Sequence, residues 1–336
     1  MFLEIKKSTL VFISFLLCNC IFFFFGSGCK NDLDILAPYK DTTIVYGVLN
    51  AADTAQYIRI HKAYLGEGNA YEMAQYTDSF YYKSNLKVVL EEYNKGIKVN
   101  EIICEKDSNV IKEPGIFASS PNILFKTTGN DSLNEKSSYK LIIRNTETGK
   151  LITSTTNVLG KLLIEKPNNS PANFLDDPYE LKWFTILNAQ AYEVVIRFHY
   201  FEQKKNNPLD IEAKYFDWKA AYEEHPDNDP LHEIKVALPK LEFFRVAAAN
   251  IKADTSLKRI AGNVEFIFTA GSKDLLTYYK INNFTTNLAQ VIPVYTNIDG
   301  GLGIFTSRRK QILQRAIDTA TILELKNGEF TKDLGF

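Results

Sequence analysis

The sequence contains little cysteine. Four cysteines occur in 336 residues, and two of them, Cys18 and Cys20, lie within an apolar run close to the N-terminus. Three residues separate Cys29 from that run, and Cys104 is the one cysteine in the rest of the chain. Domains that depend on disulfides carry many paired cysteines. The sequence therefore excludes a disulfide framework and predicts that burial of a core holds the fold together.

An excess of charge of one sign is also lacking. The chain has 39 Lys and Arg against 40 Asp and Glu, a formal net charge of -1 at pH 7, and no block of like charge. Nucleic acids and anionic membrane surfaces attract proteins that carry clustered positive charge. We therefore expect neither of them to be an electrostatic partner, and we expect no nucleic-acid role.

The sequence also lacks an uninterrupted hydrophobic run of the length that favours a permanent membrane anchor. Residues 10–25 are nearly all apolar, but Asn19 interrupts them, and a spanning helix needs about 20 apolar residues. Two lysines within residues 1–7 precede the run, as in secretory signal peptides. We expect residues 1–28 to be a signal peptide; a transmembrane anchor is the alternative.

The run ends in a short box of small residues. Gly26, Ser27 and Gly28 directly precede Cys29, which resembles the lipobox of bacterial lipoproteins, with Gly26 where that pattern prefers Leu. The resemblance implies that Cys29 is the first mature residue and carries the lipid. Several acyl chains would attach the protein permanently to its membrane.

A tether is predicted over residues 29–41. Its Lys30, Asp32 and Asp34 are similar to the export signal of Bacteroidota-type lipoproteins, although Asn31 interrupts the strict pattern. That similarity implies a surface-exposed anchor in the outer membrane. An ordinary solvated linker, with the protein on the periplasmic face, is the alternative.

Recognisable catalytic motifs are missing too. No Gly-x-Ser-x-Gly occurs, and the glycines of residues 299–303 match neither a Walker loop nor a dinucleotide-binding fingerprint. No repeat of 20–50 residues is present, which argues against a propeller or a solenoid. We expect no catalytic residue and no cofactor.

Aromatic residues, by contrast, are abundant, with 18 Tyr and 23 Phe. Short segments alternate between apolar and polar residues, the period of a strand with one buried face. Residues 43–49, 56–63, 86–91 and 139–144 follow this pattern, and residues 145–150 read as a hairpin turn. We predict an N-terminal β-sandwich over residues 42–166.

A cluster of turn-forming residues at 167–171 predicts a domain boundary. Beyond it, residues 172–336 are expected to form a second β-rich domain. Its strands at 180–186 and 191–201 resemble the early strands of fibronectin type III modules, and helices are expected near 239–254 and 307–317, before a final strand near 320–325. The predicted fold class is mainly β, with two immunoglobulin- or fibronectin-like sandwich domains, the second carrying one or two packed helices.

One longer motif suggests a more specific family within the mainly β fold class. Residues 297–305 read Asn-Ile-Asp-Gly-Gly-Leu-Gly-Ile-Phe and follow the predicted helix 239–254 and a strand at 262–270. The combination resembles the closing third of a family of uncharacterised outer-membrane lipoproteins that are usually encoded beside TonB-dependent receptors. The resemblance implies a sandwich fold and such a receptor as a partner, and it offers no catalytic residues.

One segment has the composition of a metal site. His225, Asp227, Asp229 and His232 fall within eight positions, and imidazole and carboxylate groups are common ligands of cations. The spacing matches no standard zinc or EF-hand pattern. An acidic loop between Pro226 and Pro230 is the alternative interpretation.

Aromatic residues at three positions are candidates for ligand or partner binding. Trp218 lies in the long polar segment 206–230, which has the composition of a functional loop. Tyr81 and Tyr82 belong to a short tyrosine-rich stretch, and Trp218 and Tyr81 are expected at the surface. Rings of this kind stack on sugars or on partner proteins.

The sequence thus predicts a non-catalytic outer-membrane or cell-surface lipoprotein that binds a nutrient or a TonB-dependent receptor through its loops. A surface hydrolase acting on glycans or peptides is one alternative. A structural lipoprotein of the envelope is another.

Overall fold

The computed structural model describes residues 42–63, 72, 74–83, 85–113, 115, 118–129, 132–282 and 294–336. The predicted signal peptide, the tether and Cys29 lie outside these described residues. The elements follow one another along the chain as β1 Thr43–Leu49, β2 Tyr57–Lys62, α1 Thr77–Phe80, β3 Leu86–Asn94, β4 Ile97–Asp107, β5 Leu124–Thr127, β6 Ser138–Asn145, β7 Leu151–Asn157, β8 Ile164–Lys166, β9 Tyr179–Phe184, β10 Ala189–Lys204, β11 Asn207–Glu224, β12 Glu233–Leu238, α2 Glu242–Asn250, β13 Leu257–Ser272, α3 Lys273–Asn282, β14 Leu302–Arg315, α4 Thr319–Asn327 and a 3-10 turn Lys332–Leu334.

The strands form two sheets. Eleven of them make one mixed sheet in the order β11-β10-β13-β14-β1-β2-β5-β4-β3-β6-β7, and the other three make a small sheet in the order β12-β9-β8. The pairing of β1 with β14 is parallel and joins the two ends of the described chain. The mainly β class expected from the sequence is confirmed.

Alternation of side chains produces the N-terminal core. Val45 and Leu49 of β1 and Tyr139, Leu141 and Ile143 of β6 are buried, as a strand with one wet face requires. Together with residues of β2 and β3 they form one hydrophobic cluster. The strands predicted at 43–49 and 139–144 are confirmed.

The edge strand β7 turns back toward the start of β14. Thr153 forms a bridge with Asp299, and the Ser154 hydroxyl donates to the Asn297 carbonyl oxygen at 2.7 Å. Ile298 and Phe305 are buried in the N-terminal cluster. The motif 297–305 therefore closes the core of the N-terminal half, although it lies near the C-terminus.

The C-terminal half consists of two layers with aromatic packing between them. Trp183 of β9, on the small sheet, is fully buried against Phe268 of β13, on the large sheet. Phe243 of α2 stacks on Phe174 with ring centroids 4.1 Å apart. The small sheet packs on the large one in a sandwich-like manner across this second hydrophobic cluster.

Two predicted elements near the C-terminus are wrong. Residues 307–317 are not a helix, because β14 pairs with β1 on one side and with β13 on the other. Residues 320–325 are not a strand, because Asp318 caps a helix there by accepting a hydrogen bond from the Thr321 amide at 2.8 Å. The helix predicted at 239–254 is confirmed as the shorter α2.

The segment 206–230 is also not the long loop that its composition predicts. Residues up to Glu224 form β11, an edge strand paired along its length with β10. Phe216 is buried, whereas Tyr215 and Asp217 face solvent, so the polar composition reflects one wet face of a strand. Only residues 225–232 remain as a connection to β12.

The domain boundary predicted at 167–171 stays a prediction. The two hydrophobic clusters lie largely on either side of it, one built mostly from residues 45–158 and the other from residues 159–334. The eleven-stranded sheet nevertheless runs through both halves. The residues that the structure describes all belong to one compact unit. No helix in the described part of the chain is long and apolar enough to cross a membrane.

Candidate functional site

The connection between β11 and β12 brings together three of the four residues predicted as metal ligands. His225, Asp229 and His232 place their ligand atoms within 4.8 Å of one another. The two imidazole rings stack with centroids 4.5 Å apart. A carboxylate oxygen of Asp229 is hydrogen-bonded to His225 Nε2, and the other lies 4.0 Å from His232 Nδ1. We call these three residues the imidazole–carboxylate cluster.

The buried hydroxyl of Thr185 holds this connection in place. It donates to the Asp229 carbonyl oxygen at 2.7 Å and accepts a hydrogen bond from the His232 amide at 2.9 Å. At the other end of the connection, the His225 amide donates to the Gln190 carbonyl oxygen at 2.9 Å. The connection is therefore attached at one end to Thr185, directly after β9, and at the other end to Gln190, at the start of β10.

The cluster favours a charged carboxylate. The hydrogen bond from His225 lowers the pKa of Asp229 below its ordinary value of 3.8, and the positive potential of both imidazoles acts in the same direction. The side chain of His225 is 16% exposed, whereas those of Asp229 and His232 are more than half exposed. The imidazole of His225 is thus the most buried member of the cluster, and the Asp229 carboxylate and the His232 imidazole are accessible to solvent.

Asp227, the fourth predicted ligand, is not part of the cluster. Its exposed side chain belongs to the same connection, but only the other three residues bring ligand atoms together. In a strand, His232 would face away from His225 and Asp229, whereas the spacing i, i+4 and i+7 would place all three on one face of a helix. Here an irregular connection between two strands brings them to one side.

The aromatic candidates occupy different environments. Trp218 is half-buried on the core face of β11, opposite Ile196, and packs on the C-terminal cluster. Tyr81 is 5% exposed and packs edge-on against the His61 ring, so the surface position expected for it is wrong. Tyr82 is half-buried and shares a hydrogen bond of 2.7 Å with the Thr43 hydroxyl.

A polar cavity of about 350 Å³ is a feature that the sequence did not predict. Its wall includes residues of the N-terminal half, residues around the imidazole–carboxylate connection and the start of α3, among them Thr155, Asn157, Asn188, Gln190, Asn228 and Asp274. Asp274 accepts hydrogen bonds from the Tyr295 hydroxyl at 2.7 Å and from Asn297 Nδ2 at 3.1 Å. Because these residues come from distant segments, no local pattern marks them.

A second, more apolar groove of about 310 Å³ lies beside α3. The half-exposed rings of Tyr222 on β11 and Tyr279 on α3 line it, together with Leu275 and Leu276. The Tyr222 hydroxyl donates to Glu224 at 2.9 Å. Aromatic residues therefore border an accessible groove at this edge of the sheet, at positions other than those predicted.

Comparison with known proteins gives no relative from which a role could be transferred. No protein-family model matches this chain, and no curated protein matches it. The resemblance of residues 297–305 to a lipoprotein family therefore stays a prediction.

Proposed function

We propose that this protein is a lipid-anchored outer-membrane lipoprotein at the cell surface and acts as a non-catalytic binding component of TonB-dependent nutrient uptake. The observation that carries the proposal is the order of the N-terminal sequence, with two lysines, an apolar run and the small residues Gly26–Gly28 directly before Cys29. Such an order is typical of a signal peptide that ends at a lipidated cysteine. The similarity of residues 297–305 to receptor-associated lipoproteins supports the second half of the proposal.

The polar cavity supports a binding role. Its lining combines amides such as Asn157 and Asn228, the hydroxyl group of Thr155 and the carboxylate of Asp274. Amides and carboxylates offer both donors and acceptors to a ligand rich in hydroxyl groups. A polar nutrient such as an oligosaccharide fits this chemistry better than an apolar one.

The anchor is tested by a Cys29→Ala variant. Without the thiol, no lipid can be attached, so we expect the variant to leave the membrane fraction and to lose labelling by a radioactive fatty acid. Cys20→Ala is the matched control, because it changes a cysteine of the apolar run that has no small-residue box before it. Retention of Cys29→Ala in the membrane would contradict the proposal.

The uptake role is tested by purification of the tagged lipoprotein in mild detergent, followed by cross-linking and mass spectrometry. We expect a TonB-dependent receptor in stoichiometric amount. Cross-links from the rim of the polar cavity, for example from Lys273, would locate the working surface. Recovery of the lipoprotein alone under conditions that preserve other receptor complexes would contradict the uptake role.

A further inference from the structure

We propose that the imidazole–carboxylate cluster of His225, Asp229 and His232 is a binding site for a divalent transition metal, with Zn²⁺ the best match. The inference concerns the connection between β11 and β12 alone and does not depend on the lipid anchor or on the uptake role.

The distances within the cluster suit a metal ion. Zinc binds imidazole nitrogen and carboxylate oxygen at about 2.0–2.2 Å, which places two ligand atoms about 3.3 Å apart in a tetrahedral site. The three ligand atoms already lie within 4.8 Å of one another. The side chains of Asp229 and His232 are both more than half exposed, so they have room to turn toward an ion.

The backbone around the cluster is held in position before any ion binds. Thr185, which is 1% exposed, contacts the backbone of both Asp229 and His232 through one hydroxyl group. The Leu231 amide, between these two residues, donates to the Thr185 carbonyl oxygen at 2.9 Å. Ligands fixed in this way lose little freedom on binding a metal, which favours affinity.

The chemistry of the ligands selects the kind of metal. Two imidazole nitrogens and one carboxylate suit zinc, copper or nickel, whereas calcium and magnesium require oxygen ligands almost exclusively. The carboxylate of Asp229 adds a negative charge, which an imidazole ligand does not supply. Three protein ligands leave one tetrahedral position for water.

Equilibrium dialysis of the untagged full-length protein in detergent against micromolar Zn²⁺, followed by elemental analysis, tests the site. We expect one Zn²⁺ per chain and affinity at least about tenfold weaker in Asp229→Asn and in His232→Ala. Asp227→Asn and His199→Ala are matched controls. Asp227 lies in the same connection, and His199 is a half-buried histidine whose Nε2 is 3.5 Å from a Glu265 carboxylate oxygen. Both controls should bind as wild type does.

Substitution of Co²⁺ for Zn²⁺ gives a second, spectroscopic measurement. A tetrahedral site produces visible absorption bands, which should be present in wild type and in Asp227→Asn and absent in Asp229→Asn. Failure of the wild-type protein to bind Zn²⁺ would overturn the proposal. Two other results would overturn it as well. One is an equal loss of Zn²⁺ affinity in the cluster variants and in the controls, and the other is Zn²⁺ binding by both cluster variants with wild-type affinity.

Discussion

Arg259 is a buried charge that connects three parts of the C-terminal half. Its side chain is 3% exposed and donates to the Glu202 carboxylate from Nε at 2.9 Å and from Nη2 at 2.7 Å. It also donates to the carbonyl oxygens of Lys252 and Leu334. A buried charge needs such partners, and removing one member of a buried pair leaves the other uncompensated.

We expect Arg259→Met to lower the free energy of unfolding by about 3 kcal/mol, because Glu202 and two carbonyl groups lose their partner. Urea denaturation measures the difference. Arg197→Met is the control, because Arg197 also donates from Nε and Nη2 to a carboxylate, here the two oxygens of Asp217, on the open face of the sheet. Loss of that pair should cost less than about 1 kcal/mol. Equal effects of the two substitutions would show that burial does not matter here.

His61 is a residue whose protonation opposes folding. Its ring packs between Phe80 and Tyr81, and its buried Nε2 makes no hydrogen bond within the described residues. Burial lowers the pKa of His61 from 6.5 to about 4, and the charges of Arg59 and Lys112 act in the same direction. The native state therefore favours the neutral imidazole.

Stability should consequently fall with acid over a defined range of pH. The unfolded chain takes up a proton at His61 near pH 6.5, whereas the folded protein does so only near pH 4. The contribution of His61 is present above pH 6.5 and is lost as the pH falls toward 4. A shift of this size corresponds to roughly 3 kcal/mol.

His61→Phe should remove this part of the pH dependence of the urea midpoint while keeping the aromatic packing. His199→Phe, on the open face of the sheet, serves as the control. An unchanged slope between pH 6.5 and 4 in His61→Phe would contradict the assignment.

At the scale of single elements, the start of β14 depends on one glycine. Gly303 has φ +107°, and a Cβ at this position would lie 2.0 Å from the Val45 carbonyl oxygen. Val45 is its partner in the parallel register of β1 and β14. The glycine-rich motif 297–305 is thus required for a close approach of two backbones, for which only glycine leaves room.

We expect Gly303→Ala to destabilise the protein by more than about 3 kcal/mol, because it combines backbone strain with a clash against β1. Gly149→Ala is the control. Gly149 also has a positive φ, of +72°, but an added Cβ meets no atom within 4 Å. Its substitution should cost about 1 kcal/mol. Thermal denaturation compares the two, and similar losses would contradict the role of close packing at Gly303.

The observed strands also show where the alternation of apolar and polar residues predicts a strand correctly and where it does not. Alternation identified β1, β6 and β10, because apolar residues such as Tyr192, Val194 and Ile196 all face one core. It failed at residues 302–315, where good helix formers follow Ser307. There, pairing with β1 and β13 outweighs local preference, and the buried Ser307 hydroxyl donates to the Asn157 carbonyl oxygen at 2.5 Å instead of capping a helix.

At the scale of the whole molecule, one sheet passes through two hydrophobic clusters. The long strand β14 contributes Phe305 to the N-terminal cluster, and its partly buried Leu313 packs against the C-terminal one. Backbone pairing of β14 with β1 and with β13 connects the two halves. Unfolding of either half would leave one side of β14 without its hydrogen-bond partners.

We therefore expect the two halves to unfold together. Fluorescence of Trp183 and Trp218 reports on the C-terminal half, which contains both tryptophans of the chain. Cys104 reports on the N-terminal half, because burial raises the pKa of its thiol to about 12 and keeps it unreactive while folded. Pulsed alkylation of Cys104, located by peptide mass spectrometry, should give the same urea midpoint as the fluorescence. Two separate midpoints would support independent domains at 42–166 and 172–336.

The sequence by itself determined the mainly β class, most of the strands and the residue types of the candidate metal site, because alternation and composition are local properties. It also carries the whole argument for Cys29 as the site of lipidation. Only the tertiary structure decided that β14 is a strand, that Tyr81 is interior and that His225, Asp229 and His232 converge without Asp227. These outcomes depend on contacts between residues far apart in the chain. Hydrogen bonding between strands and burial of side chains act between such distant residues, and they outweigh the secondary-structure preference of the local sequence.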